Sequence, residues 1–254
     1  VTSINTLGSA WSQGRTVFGV LARSGASQCV ESTARSGADF VCIDLQHGFG
    51  GFDSVASEIA ACRAGGAVPL VRTPSDDPWQ IGRPLDLGAS GVIVPQISSP
   101  AAAAAAVAAC RYPPLGTRSY GPIRSGGGSD DPDGRDRDTM CFVMIETPDG
   151  LENVEQIAAT PGLSGIYIGV TDLALALGLS VRGYAANSEH AAALDRIRAA
   201  CDAVGVVSGM HCHNGREARE RVAQGFRLVT VGSDLTLLRG GVARELSTAA
   251  GRRG

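Results

Sequence analysis

Four charged side chains and one imidazole stand where apolar runs of this sequence give way to polar residues. Asp44 and His47 follow residues 40–43, Arg72 follows residues 68–71, Glu146 follows residues 141–145, and Asp172 lies four residues beyond 165–168. An acid inside or just past an apolar run is costly unless something pairs with it. Two carboxylates meeting at one site suit a hard divalent cation such as Mg²⁺ or Mn²⁺, which prefers oxygen ligands and keeps waters or substrate oxygens in its other positions. An arginine beside them could hold a carboxylate or a developing enolate oxygen. A histidine oriented by Asp44 could act as a general base, because imidazole titrates near neutrality.

Each residue also has a plainer reading. Glu146 could be an acid placed at a helix N-terminus by the dipole. Asp172 could cap a helix before the apolar residues 173–177, Arg72 could be an ordinary surface arginine, and His47 could be a turn residue bonded to Asp44. The residue types alone leave both sets open.

Other chemistries are excluded more firmly. The 254 residues contain no lysine, so all 22 basic side chains are arginine. Schiff-base chemistry with a carbonyl substrate and pyridoxal phosphate bound as an aldimine both need a lysine amine. A P-loop needs one too. The cluster His211-Cys212-His213 suggests a soft metal, but neighbours in sequence do not easily share one ion, and no Cys/His pair at zinc spacing accompanies it. Gly126-Gly127-Gly128 is not followed by a helix pattern and is read as loop flexibility, not a phosphate cradle.

The elements that must position these groups alternate along the chain. Apolar strand-like runs cover residues 16–21, 40–45, 68–71, 91–94, 141–145, 165–168, 206–210 and 228–231, with helix-like segments between them. Asp77 and Pro78, Thr147 and Pro148, and Ser233 and Asp234 read as helix starts. Residues 111–139 read as one long irregular loop, unusual in a compact domain and often functional. Eight strand–helix units close naturally into a (β/α)8 TIM barrel. The alternative, an open doubly wound sheet, normally carries GxGxxG after its first strand, and none is present. No composition break marks a second domain, so residues 1–254 are taken as one barrel.

Bulk properties agree. Hydrophobic residues make up 44 % and the net charge is −3, so nothing points to nucleic acid or an anionic membrane surface. No apolar run approaches the ~20 residues that span a bilayer, and residues 1–14 lack a signal-peptide pattern. Seven scattered cysteines without a CxxC pair suggest reduced packing thiols and a cytoplasmic protein. In such a barrel, residues past the strand C-termini share one face. That face would gather Asp44, His47, Arg72, Gln96, Glu146, Asp172, His211 and Ser233.

The set Asp44-x-x-His47-Gly48, Pro69-x-Val71-Arg72, Arg111-Tyr112-Pro113-Pro114-x-Gly116-x-Arg118, Ile145-Glu146-Thr147, Ile168-Gly169-x-x-Asp172-Leu173 and Val231-Gly232-x-Asp234 resembles the HpcH/HpaI aldolases. These are metal-dependent class II pyruvate aldolases. The motifs run in the same order over residues 18–238. The resemblance implies a (β/α)8 barrel whose last helix is exchanged between subunits, in a homo-oligomer that is usually a hexamer. It implies a divalent metal (Mg²⁺, Mn²⁺ or Co²⁺) on Glu146 and Asp172, and a small 2-oxo acid and an aldehyde as substrates. Backbone amides around Gly169, Val170 and Thr171 would hold the substrate carboxylate, with Gln46 also at the substrate. Arg72 would stabilise the enolate, His47 oriented by Asp44 would move protons, and Asp86 would reach a neighbouring subunit's site. Three departures stand out: Gln46 where the family often has Glu, Val170 where Pro is common, and a loop at 119–138 richer in Gly and Asp.

Overall fold

A computed structural model of the chain describes residues 6–123 and 131–251. In chain order, helix α1 (Thr6–Ser12) precedes strand β1 (Val17–Ala22), followed by α2 (Ser27–Arg35), β2 (Phe40–Asp44), α3 (Val55–Ala64), β3 (Val68–Arg72), α4 (Pro78–Asp86) and β4 (Gly91–Val94). Then come α5 (Pro100–Ala109), α6 (Pro132–Asp138), β5 (Met140–Ile145), α7 (Pro148–Glu152), α8 (Val154–Ala158), β6 (Gly165–Ile168) and α9 (Val170–Ala176). The chain continues through α10 (Ser188–Val204), β7 (Val207–Cys212), α11 (Gly215–Ala223), β8 (Leu228–Ser233) and α12 (Asp234–Ala249). The eight strands pair in sequence order, all parallel, and β8 returns to β1 to close the barrel.

Successive strand residues face opposite ways, and although both faces are buried, the packing partners follow that period. Phe40, Cys42, Leu70, Phe142, Met144 and Tyr167 belong to one cluster that fills the barrel. Val41 and Ala22 pack outward with α2 and α3, while Ile43, Val71, Val143 and Ile145 join the larger cluster beneath the remaining helices. The next inward position on β2 is Asp44, on β3 Arg72, beyond β5 Glu146 and beyond β6 Gly169. The strand period therefore lifts the chemistry to the top of the interior stack.

Helix starts follow the sequence cues. Asp77 accepts from the amides of Trp79 and Gln80, Thr147 from Gly150, and Ser233 forms a capping box with Thr236. Two segments differ from the sequence reading. The irregular stretch 111–139 contains α6, capped by Asp131 and opened by Pro132. It has no apolar stripe, and Asp136 is buried because its carboxylate accepts the Tyr112 amide. Gly126, Gly127 and Gly128 lie outside the described residues. The polar N-terminal segment yields α1, whose Leu7 and Ala10 seal the lower end of the barrel while Trp11 meets Phe142 edge-on at 6.1 Å.

The last helix behaves differently from the others. None of the residues of α12 is buried, and Leu238, Val242 and Leu246, spaced four apart on one stripe, are 62 %, 50 % and 66 % exposed. A largely apolar groove of about 550 Å³ runs beside it, with Phe18, Val20, Cys29 and Leu238 in its walls.

One close approach limits the barrel wall. A Cβ on Gly165 would sit 2.1 Å from the Val207 carbonyl oxygen, and a backbone atom in the sheet cannot give way. Gly165→Ala is expected to destabilise the fold by about 3 kcal/mol, measured as a lower midpoint in urea unfolding.

Candidate active site

At the C-terminal end of the strands lies a cavity of about 340 Å³. Its walls include Arg23, His47 and Arg72 on the β1–β3 side, and Gly169, Asp172 and His211 on the β6–β7 side.

Asp44 is 1 % exposed and ties this end together. Its carboxylate takes a bidentate pair from Arg72, Nε to Oδ1 at 2.8 Å and Nη2 to Oδ2 at 2.7 Å. Oδ1 also accepts the backbone amides of Gln46 and His47, at 3.1 and 3.2 Å. Burial pushes the Asp44 carboxyl up, but the Arg72 guanidinium outweighs it, helped by the two amides, and holds the group below the usual carboxylate range. The sequence reading gave Asp44 the task of orienting the His47 imidazole. The carboxylate is instead committed to Arg72 and to the main chain of the turn. His47 is positioned through its backbone: Asp44 accepts its N–H, and Arg23 Nη2 donates to its carbonyl at 2.9 Å. The imidazole itself is exposed and borders the cavity.

Glu146 is buried against Gly169. Its Oε1 accepts the Gln96 amide at 2.8 Å. A Cβ on Gly169 would fall 2.1 Å from its Oε2, so only glycine leaves that oxygen its place. Gln96 adopts φ 58°, a left-handed conformation uncommon for a residue with a side chain. Strain of this kind persists at sites where the surrounding structure enforces it, and here it aims an amide at a carboxylate. Burial pushes the Glu146 carboxyl up and the Asp172 charge pushes the same way, while the Gln96 amide and the Arg72 charge oppose them. Asp172 is not a helix cap. It is the third residue of α9, with Gly169 at the cap position, and it is exposed toward the cavity.

These two carboxylates fit a hard divalent cation. Among the described residues, one is buried with a single amide donor, the two repel each other, and neither bonds an arginine. Among the described residues no group of three or more His, Cys, Asp or Glu is assembled to hold an ion. The remaining positions of such an ion would fall to water or substrate oxygens.

The other predicted residues divide. The Gly169 amide already donates to the Ile145 carbonyl at 3.3 Å, so it is not free for a substrate. Val170 and Thr171 open α9, where first-turn amides lack intrahelical acceptors. Buried His190 fixes that turn from behind, with Nε2 3.0 Å from the Val170 carbonyl oxygen. Among the described residues, Gln46 does not border the cavity, and its buried Oε1 has no hydrogen-bond partner. Asp86 is not brought to the site within this chain. It ends α4 at the opposite end of the barrel, accepts from Arg118 Nη2 at 2.7 Å, and borders a separate pocket with Trp79 and Arg83.

Sequence reasoning passed over four participants: Arg23, Tyr167, Thr230 and Tyr184. Tyr167 and Thr230 sit at inward positions of β6 and β8, and Arg23 lies one residue past the end of β1, a parity that the apolar runs already displayed. The thiols are as expected. All seven cysteines are free, and burial pushes Cys42, Cys62, Cys201 and Cys212 up to about 12.

A closed eight-stranded barrel with paired carboxylates at its C-terminal mouth defines the class; comparison with known proteins gives the family. The model of the HpcH/HpaI aldolase/citrate lyase family matches residues 18–240. The hydroxypyruvate/pyruvate aldolase of Rhizorhabdus wittichii is 34 % identical over 97 % of this chain and 99 % of its own. The 4-hydroxy-2-oxovalerate aldolase of Rhodococcus jostii is 34 % identical over 98 % of this chain and 96 % of its own. A solved HpcH/HpaI aldolase/citrate lyase family protein from Burkholderia cenocepacia superposes with a TM-score of 0.85 at 31 % identity, covering 92 % of this chain and 95 % of that one. The chain belongs to the HpcH/HpaI aldolase/citrate lyase family.

The raised Glu146 pKa has a definite consequence for stability. A carboxyl whose folded pKa exceeds its unfolded value binds protons more readily when folded, so its contribution is most favourable below the unfolded value near 4.5 and is lost as pH rises. Glu146→Gln, which keeps an acceptor for the Gln96 amide, is expected to raise the Tm of the metal-free protein at pH 7 by roughly 2 °C. The gain should shrink as pH falls toward 4; calorimetry across that range checks it.

Proposed function

We propose that this protein is a divalent-metal-dependent aldolase that joins the enolate of pyruvate, or a closely related 2-oxo acid, to an aldehyde and reverses the reaction. The observation that carries the reading is the contrast between two buried carboxylates at one barrel mouth: Asp44 is paired with Arg72, whereas Glu146 stands beside the like charge of Asp172 and, among the described residues, bonds no arginine. Glu146 and Asp172 would hold the ion. When bound, it would supply Lewis-acid polarisation of the keto group, which makes the adjacent methyl protons more acidic.

The chain's own groups do the rest. The free amides of the first turn of α9, at Val170 and Thr171, receive the substrate carboxylate. Arg72, fixed by Asp44, presents cationic charge to the oxygen that becomes negative as the enolate forms. His47 stands at the rim, where an imidazole can take the methyl proton and return it. In the forward direction the enolate carbon attacks the aldehyde carbon and the carbonyl π electrons move onto its oxygen. That oxygen then takes a proton, so the new C–C bond and hydroxyl balance the lost C=O. Cleavage runs through the same positions in reverse. The lysine-free sequence supports metal–enolate over imine chemistry, and the free thiols fit a reducing compartment such as the cytoplasm.

The apolar stripe of α12 and the groove beside it support a homo-oligomer in which the helix of one copy covers the groove of another. Val242→Asp combined with Leu246→Asp is expected to reduce the particle to the 26.0 kDa mass of one chain in light scattering. A single-chain mass for the unaltered protein would count against this arrangement.

The aldolase reading is tested by exchange of pyruvate methyl protons for deuterium, followed by NMR with Mg²⁺, Mn²⁺ or Co²⁺ and without metal. Exchange is expected only with metal. Glu146→Ala and Asp172→Ala should each lower it by more than the roughly 10–100-fold typical of changes outside the ligand shell. Exchange that survives chelation, or that both variants leave untouched, refutes the reading.

A further inference from the structure

The β7–β8 side of the cavity carries a chain of side-chain hydrogen bonds that the enolate chemistry does not use. Tyr167 Oη lies 2.8 Å from Thr230 Oγ1, and Thr230 Oγ1 lies 2.9 Å from His211 Nδ1. Tyr167 and Thr230 are buried, at 3 % and 0 % exposure. Among the described residues, Thr230 is the one hydrogen-bond partner of the phenol. A buried O–H must place its hydrogen, so the phenol donates to Thr230. The threonine has a single hydrogen and gives it to the unprotonated Nδ1 of His211. The proton of the neutral ring is then on Nε2. Among the described residues Nε2 has no protein partner, and His211 borders the cavity.

The ring stays neutral for a separate reason. Burial, then the neighbouring His213, Arg72 and Arg23, push the His211 pKa down to about 4. A second hydroxyl-linked imidazole stands beside it. Tyr184 Oη lies 3.2 Å from His213 Nε2 and 3.3 Å from Thr171 Oγ1, and the two imidazoles meet edge-on at 5.6 Å.

If the 2-oxo acid occupies the space between Arg72 and the start of α9, the second substrate must take the remaining part of the cavity, toward His211, His213 and Ser233. Among the described residues, that part offers N–H and O–H groups and no carboxylate other than Asp172. An aliphatic aldehyde would leave the Nε2–H of His211 desolvated and unbonded, which is costly. An oxygen next to the aldehyde carbon would accept from it.

We propose that His211 is a specificity-determining residue whose Nε2–H, fixed by the Tyr167–Thr230 chain, donates to an oxygen substituent of the acceptor, so that the preferred acceptors are α-hydroxyaldehydes. This rests on the aldolase reading above. No proton is transferred by His211; its part is to hold the substituent.

Two measurements test it on the intact Mg²⁺-loaded enzyme. In ¹⁵N-labelled protein, long-range ¹H–¹⁵N correlations should show His211 as the neutral Nε2–H form at pH 7; an Nδ1–H form or an imidazolium overturns the proposal. This arm needs no variant and stands where a substitution prevents folding. In kinetics with pyruvate, the kcat/KM ratio of glycolaldehyde to acetaldehyde should exceed one for the unaltered enzyme and fall about tenfold in His211→Leu. His211→Gln, whose side-chain amide can donate from a similar position, should retain most of the preference. A ratio unchanged by His211→Leu overturns the proposal. So does an enzyme that exchanges pyruvate protons yet does not prefer glycolaldehyde, and that outcome leaves the aldolase reading standing. Absence of metal-dependent exchange in the unaltered enzyme removes both.

Discussion

One carboxylate connects three strands at the mouth of this barrel. Asp44 grips Arg72 from β3 in two parallel bonds, holds the main chain that turns out of β2, and stands 3.5 Å from the Nε of Arg23 beyond β1. The Arg72 side chain is only 11 % exposed and that of Asp44 not at all. In so little water each charge requires the other. Losing one partner of such a pair typically costs about 3–5 kcal/mol, because the survivor is buried alone. The pair is better read as positioning than as net stabilisation: a guanidinium fork matched to a carboxylate fixes the plane of the cation. A cation whose direction is set before substrate arrives needs little reorganisation when negative charge develops, which is the condition for strong electrostatic catalysis.

The second buried carboxylate shows the opposite balance. Glu146 has one amide from a strained residue and a like charge nearby, so folding alone leaves it in an unfavourable state. Two acids on one barrel face are thus driven apart, Asp44 toward permanent ionisation and Glu146 toward holding a proton. Environments that push like groups apart mark different roles. The paired acid builds the site, and the unpaired one is left for something that binds. A protein that tolerates this is giving up stability where function needs it.

Much of this was legible in the sequence. Eight apolar runs separated by helix-like segments are enough to argue a closed parallel barrel, and the cap residues Asp77, Thr147 and Ser233 act as their chemistry dictates. Asp44 and Arg72 end their strands and Glu146 directly follows one, which is why the strand period sets all three at one end of the barrel. The misses have physical causes. Helix α1 shows too few apolar residues to register as periodic, yet two of them suffice to plug the barrel. The polar stretch before β5 hides α6 because an Asp-Pro start, and not an apolar stripe, makes it helical. Asp44 and His47 are near in sequence, which suggests an imidazole–carboxylate contact. Strand geometry instead sets Asp44 beside Arg72, its register partner on β3, and leaves the imidazole outside. Asp86 stands apart from this chain's own cavity, as a residue expected to serve a neighbouring subunit's site would.

The two sides of the cavity differ in how they supply hydrogen bonds, and the barrel itself explains the difference. In a closed parallel sheet the strand amides and carbonyls are spent on their neighbours, so polarity inside must come from side chains. On the β1–β3 side it comes as charge, from Arg23 and Arg72, neutralised in part by Asp44. Across the cavity His211 is held neutral, by burial first and then by the charges of His213, Arg72 and Arg23. A neutral imidazole can still be a fixed donor if its other nitrogen is occupied by an acceptor bond, and the buried phenol and threonine behind it do that without adding charge. Their register makes this possible: Thr230 is the direct partner of His211 across β7 and β8, so both side chains project to the same face. Charge on one side and oriented neutral donors on the other are what the proposed enolate chemistry and the proposed acceptor selection would each require.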